Sequence, residues 1–296
     1  MNVPAAPVPP TLEQVCEKAL RLPCSPSLLP RLGVALQSDN SSAAEIERLI
    51  SLDPSLAAAT LRLANSAMFA RGTVETVEAA VFRLGAKEIY RLAALVLVSR
   101  WESPGTTQAL RWEPGDFSRL ALCTAISGEV LAQSTERLDP QLAYTAGLVC
   151  DLGKLALAHS CGEFYPAVRA FRDRMQCTWE QAERAVLGYH HADATNRLLH
   201  AWNFPRLFCA MAEFHTRPHE APTEALPLLA HLHAAKYLAT AMGPGVNEDS
   251  FLTAVHGAFL REWGFTTELL EAAMPIVLER AAQRLGDKLT TGAVKI

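Results

Sequence analysis

Nothing in this 296-residue chain is both long and apolar. The longest such run, LAALVLV at 92–98, is far short of the roughly twenty residues that a bilayer span needs. The opening MNVPAAPVPPTLEQ has neither a basic start nor an apolar core and does not read as a signal peptide. An excess of basic charge is missing as well. The formal net charge is −4, so the bulk composition carries no footprint for nucleic acid or anionic lipid. The seven cysteines (16, 24, 123, 150, 161, 177 and 209) are scattered and none forms a CxxC pair, which points away from a zinc ribbon or a disulfide framework. Free thiols in a reducing compartment are expected, and with them a cytoplasmic location. Period-two alternation of apolar and polar residues is also absent, which removes half-buried strands from consideration.

What remains is helix almost throughout, with alanine and leucine abundant and proline as punctuation. TLEQVCEKALRL gives a first amphipathic helix, and SPSLLPRLGVALQ a short second one interrupted by Pro30 and Gly33. In SSAAEIERLISL, Ser42 and Glu45 have capping-box spacing. Asp53-Pro54 starts the next helix, with a carboxylate over the free N–H groups and proline in the first turn. Asn65 is a poor helix former inside that helical run and is expected to close or bend it as part of the architecture. Gly72 breaks the pattern and Gly85 reads as a C-cap. Arg83, Lys87 and Arg91, four apart, fall on one side of a helix and are expected to be solvated or to meet a partner. The segment 102–116, with two prolines and two glycines, is the best boundary. Helices are expected beyond it near 117–134, 140–158, 163–175, 178–187, 190–201, 205–214, 224–241, 247–260 and 266–285. The final GDKLTTGAVKI is expected to fray.

Six blocks in order carry a resemblance to a known family: LP at 22–23, LISLDPSLAAATLRLANSAMF (49–69), AAVFRLGAKEIYRLAA (79–94), AGLVCDLGKLAL (146–157), ERAVLGYHHADATNRLLHAWNFP (183–205) and AEFHTRP (212–218). In these the sequence resembles the HDOD family, a divergent branch of the HD phosphohydrolase superfamily. The resemblance implies an all-α fold in which an N-terminal helical bundle (15–105) packs on a degenerate HD-like helical subdomain (115–240), together an HDOD domain over 15–240. A C-terminal helical extension at 245–290 follows, which either covers an exposed face or presents a binding surface. It also implies a bacterial signalling or regulatory role through other signalling proteins, with no cofactor.

In the catalytic superfamily the resemblance would require a first histidine, a His-Asp pair and a late aspartate around one or two metal ions, whose bound water attacks phosphorus. This chain has no histidine before His159, so the first ligand cannot exist. Cys150 stands at the histidine of the pair and only Asp151 is kept. Lys236 falls where the late aspartate is expected, and a cation is no ligand for a hard metal. With three of four ligands replaced, the expectation is a non-catalytic protein with no metal, in which Lys236 pairs with Asp151. His191 and His215 are placed beside Asp151, lining the old pocket or fixing helix ends. His190 is expected to face outward, and His231 and His233 to point to different sides. Glu183 and Trp202 are read with Asp53, Pro54 and Asn65 as structural residues, Trp202 as a core anchor. The negative charge of Asp151 should raise the Cys150 thiol pKa and argues against a nucleophile. A zinc-like set of Cys150, Asp151, His191 and His215 is the metal-bearing alternative. Two further alternatives are a metal-dependent phosphohydrolase acting on nucleotides or cyclic dinucleotides, and a sensor that binds a nucleotide without hydrolysing it.

Overall fold

The computed structural model describes residues 7–21, 28–37, 43–66, 69, 72–242 and 256–285. Among them there is no strand, and no helix is long and apolar enough to cross a membrane. The first half contains α1 (Leu12–Leu20), α2 (Leu28–Gln37), α3 (Ala43–Ser51), α4 (Pro54–Ala64), α5 (Val77–Ser99) and α6 (Pro104–Leu110). Then follow α7 (Asp116–Thr135), α8 (Pro140–Val149), α9 (Leu152–Cys161), α10 (Tyr165–Met175), α11 (Trp179–Leu187), α12 (His191–Ala201) and α13 (Arg206–Phe214). The last three helices are α14 (Leu226–Ala241), α15 (Gly257–Glu262) and α16 (Thr267–Leu285). Ser42 and most of the helix expected at 247–260 lie outside the described residues, as does the final segment expected to fray.

Local chemistry sets the helix starts. Thr11 with Gln14, and Thr178 with Gln181, form reciprocal capping boxes. Asp53 accepts from Ser55 N and Leu56 N ahead of Pro54, and its carboxylate also takes the Arg100 guanidinium. Asn65 ends α4 as a clamp: its amide donates to Leu61 O and Val74 O and accepts from Val74 N. Pro30 and Gly33 do not interrupt α2, because Pro30 sits in the first turn, where its missing N–H costs nothing. The expected helix at 140–158 is two helices, parted at Cys150–Asp151.

Helix α7 is the centre. Its residues from Phe117 to Leu131 are buried apart from Leu120, and α5, α8, α14 and α16 surround it. A helix apolar on every side has to be covered on every side. Helices α2–α5 pack among themselves, whereas α1, first in the chain, lies on α9 and α12. The segment 102–116, read as a boundary, carries α6 packed on α9.

Of the basic stripe only Lys87 stays exposed, and the three side chains do not share one face. Gly85 takes φ 73°, which kinks α5 between Arg83 and the other two. Arg83 donates to Ala64 O and Gly72 O. Lys87 lies 2.6 Å from the buried Glu129 carboxylate of α7, and Arg91 pairs with the same carboxylate while covering the Tyr144 ring. From α16, Arg284 reaches Glu88, and Arg280 lies 3.9 Å from Glu129. These cations join three helices because Glu129, once buried, requires compensation.

Two glycines fix the closest approaches. A Cβ on Gly147 would meet Ala125 Cα at 2.6 Å, and one on Gly153 would meet His191 O at 1.9 Å. Gly153 also donates its N–H to Thr195 Oγ1 at 2.8 Å, so α9 and α12 touch through their backbones. Gly153→Ala is expected to cost about 3 kcal/mol or more, because backbone and not a flexible side chain must move. Gly105→Ala, with nothing within 4 Å of the new methyl, should leave stability nearly unchanged. Urea unfolding of the two variants measures the contrast.

Candidate functional site

The helix break at 150–151 puts Asp151 at the N-cap of α9, yet its carboxylate caps nothing. It turns instead to Lys236 on α14, whose Nζ lies 3.0 Å from Oδ1, and to Lys154 one turn on, 3.6 Å from Oδ2. The carboxyl and ammonium side chains of the first pair are 11% and 18% exposed, so both charges are largely withdrawn from water. Burial alone would raise the Asp151 pKa; Lys154 and Lys236 override it and hold the group well below the usual carboxylate range.

Two imidazoles complete the cluster. His215 Nδ1 faces the Ala212 carbonyl at 2.9 Å, which can only accept, so the proton sits on Nδ1 and Nε2 presents a lone pair. His191 Nδ1 lies 2.7 Å from Glu183 Oε2, and the same oxygen accepts the His191 backbone N–H at 2.8 Å. Glu183 is itself fully buried and takes the Tyr165 hydroxyl on its other oxygen. His191 Nε2 and His215 Nε2 lie 3.9 and 3.4 Å from Asp151 Oδ1, and neither makes a hydrogen bond. The three ligand-type atoms fall within 4.8 Å of one another. Imidazoles anchored through Nδ1 by a carboxylate or carbonyl are the usual outer support of a metal site. Asp151, His191 and His215 are therefore the residues able to hold a divalent ion, with Lys236 Nζ already beside the shared oxygen.

Cys150 is not among the converging atoms. Its thiol points to Gly147 O at 3.6 Å, and burial, with Asp151 adding to it, pushes its pKa up to about 12. The four-membered zinc set is thus reduced to three, and the buried thiol packs as an apolar group. His190 faces inward, against expectation: it caps α12, is 5% exposed and lines the adjoining cavity. His231 and His233 do diverge, the first to Thr135 and Phe265, the second to His256. Trp202 is buried edge-on against Trp101, with centroids 5.2 Å apart. Glu183, read only as structure, is the residue that orients His191. Its signal was faint, a carboxylate eight positions before a histidine across the Gly188 turn. Lys154, one turn after Asp151, was legible from spacing alone.

Beside Lys236 opens a cavity of about 510 Å³ between α11 and α14, closed at the sides by Thr216, Arg217 and His256.

The sequence matches the HDOD domain family model over residues 22–218. The chain belongs to the HDOD family. Among solved structures, an HDOD domain protein of unknown function from Geobacter sulfurreducens superposes with TM-score 0.69 at 20% identity, covering 93% of this chain and 97% of its own. A candidate signal transduction protein from Marinobacter aquaeolei gives TM-score 0.70 at 23% identity over 94% of this chain, which spans 60% of the Marinobacter protein. A candidate phosphohydrolase from Shewanella amazonensis gives 0.66 at 22% identity, with 94% and 98% covered. At these identities the likeness establishes the shared HDOD fold. No curated protein matches the sequence.

Two outcomes follow from this geometry. Lys236→Met leaves the Asp151 charge with the more distant Lys154 and is expected to cost about 3 kcal/mol, while Lys236→Met combined with Asp151→Asn should cost clearly less than the sum of the single changes. Urea denaturation of the four proteins measures this coupling. The second concerns pH. Burial lowers the pKa of His190 to about 4 and holds His215 and His231 below the ordinary 6.5. Their folded pKa values lie below those of the unfolded chain, so the unfolded state takes up protons first and stability falls as pH drops below 6.5. Asp151 contributes fully above the ordinary carboxylate range and is lost only at lower pH still. Urea midpoints should therefore decline from pH 7 to pH 5 and again below about pH 4.

Proposed function

We propose that this chain is a non-catalytic regulatory protein of the HDOD type, acting through contacts with other signalling proteins. One observation supports the reading: the ammonium of Lys236 is paired at 3.0 Å with Asp151 Oδ1, the carboxylate oxygen that the Asp151–His191–His215 set would offer to a metal ion. Hydrolysis of a phosphate ester by such a set needs the metal to acidify a water molecule. An ammonium supplies charge but no coordination sites for water and phosphate. Exposed Val34 on α2, Leu52 in the turn after α3 and Phe82 on α5 offer apolar surface for a partner.

The competing reading is a metal-dependent phosphohydrolase, and it draws on the same three residues, on their outer support and on the description of the Shewanella protein. It requires Lys236 to leave Asp151 when metal arrives, which exchanges a formed ion pair for a coordination bond.

Metal content per chain separates the two. Protein purified without tag or chelator and incubated with manganese, iron or zinc is expected to stay substoichiometric, whereas Lys236→Asp, which restores a carboxylate, should take up close to one ion. One ion in the wild type that disappears in Asp151→Ala, with metal-dependent phosphate release, would falsify the non-catalytic reading.

A further inference from the structure

The cavity beside Lys236 has no role in the reading above, and its lining is unlike the rest of the molecule. The chain as a whole carries a formal charge of −4. Yet Arg184, Arg217 and Lys236 all line this one space, and Glu180 is the only carboxylate among the described residues that does. The Glu180 carboxylate lies 3.8 Å from His191 Nε2, at the inner side of the space. The cations come from three separate places: α11, the turn after α13, and α14. Three cations on the wall of one concave space can attract an anion, and the volume of about 510 Å³ is of the size that small-molecule sites have.

The present partners of these cations show which can turn to a ligand. Arg184 pairs with Asp193 at 3.4 Å while 54% exposed, and Arg217 pairs with Glu220 at 3.0 Å while 38% exposed. Exposed pairs of this kind contribute little, so either guanidinium can exchange its partner at small cost. Lys236 differs, since its pair is largely buried. But an ammonium has three donors, and the bond to Asp151 uses one. Two guanidinium forks and a remaining ammonium donor match a group with several oxygens and more than one negative charge. A phosphoryl group has both; a single carboxylate has neither. Tyr237, 44% exposed on the same wall, adds a flat ring for the organic part.

We infer that this cavity binds a small phosphorylated molecule without hydrolysing it, held by Arg184, Arg217 and Lys236. The inference rests on the reading that Lys236, and not a metal, supplies the cation beside Asp151. Binding would tie α11 to α14 across the cavity, and the ligand would thereby act as an input to the regulatory protein.

The probe is inorganic pyrophosphate, titrated into the full chain in EDTA-containing buffer at constant ionic strength, with heat of binding and ³¹P spectra recorded together. One saturable site per chain is expected. The double variant Arg184→Gln/Arg217→Gln, whose exposed side chains should leave the fold intact by circular dichroism, should bind about tenfold more weakly or worse. Each single variant is measured beside it. No saturable binding, or undiminished affinity in the double variant, overturns the site and leaves the non-catalytic reading in place. In a parallel sample with magnesium in place of EDTA, appearance of orthophosphate in the ³¹P spectrum, with binding retained, overturns the non-catalytic reading and leaves the site.

Discussion

The site depends on one electrostatic constraint. The Asp151 carboxylate lies in a largely buried place with two imidazole rings beside it, and a carboxylate charge so placed requires a cation close by. Each neighbouring feature serves the convergence. The break between α8 and α9 sets Asp151 at the head of α9, with its carboxylate turned away from the helix N–H groups. Gly153 lets α9 reach the backbone of α12, which brings His191 up to it. Glu183, backed by Tyr165, and the Ala212 carbonyl fix the orientation of the two rings. In this structure the cation nearest Asp151 Oδ1 is the ammonium of Lys236, a part of the chain itself.

The same logic recurs away from the site. Glu129, 2% exposed on α7, gathers Lys87 and Arg91 from the N-terminal helices and Arg280 from α16. In both places a buried acid is neutralised by bases from distant parts of the sequence. Such pairs add little net stability over an apolar packing, but they penalise any arrangement that leaves the acid alone.

Much of this was legible in the sequence because it is local. Capping residues, proline starts and helical periodicity announce themselves within a few positions, so the all-α class, Asp53-Pro54 and the extent of most helices could be read directly. The Asp151–Lys236 pair was reachable only through the family resemblance, since 85 positions separate the partners. What escaped was tertiary. His190 faces inward because the turn after Gly188 folds α12 back onto α11. Arg91 is buried because Gly85 rotates the second part of α5 toward Glu129. The break at Cys150–Asp151 has no proline or capping bond to mark it, and the work of Gly147 and Gly153 depends on neighbours that no local pattern names.

The position of α7 bears on how the molecule comes into being. It is the most enclosed helix, yet two of its four covering partners, α14 and α16, come from the last third of the chain. As the protein leaves the ribosome, α7 emerges with one flank covered by α5 and α8 and the other still open to water. Contacts of such long sequence separation form slowly, and an exposed apolar flank is open to wrong association meanwhile. The core of this protein therefore closes last, from its C-terminal side, and the interval before closure is when a nascent chain most needs shielding.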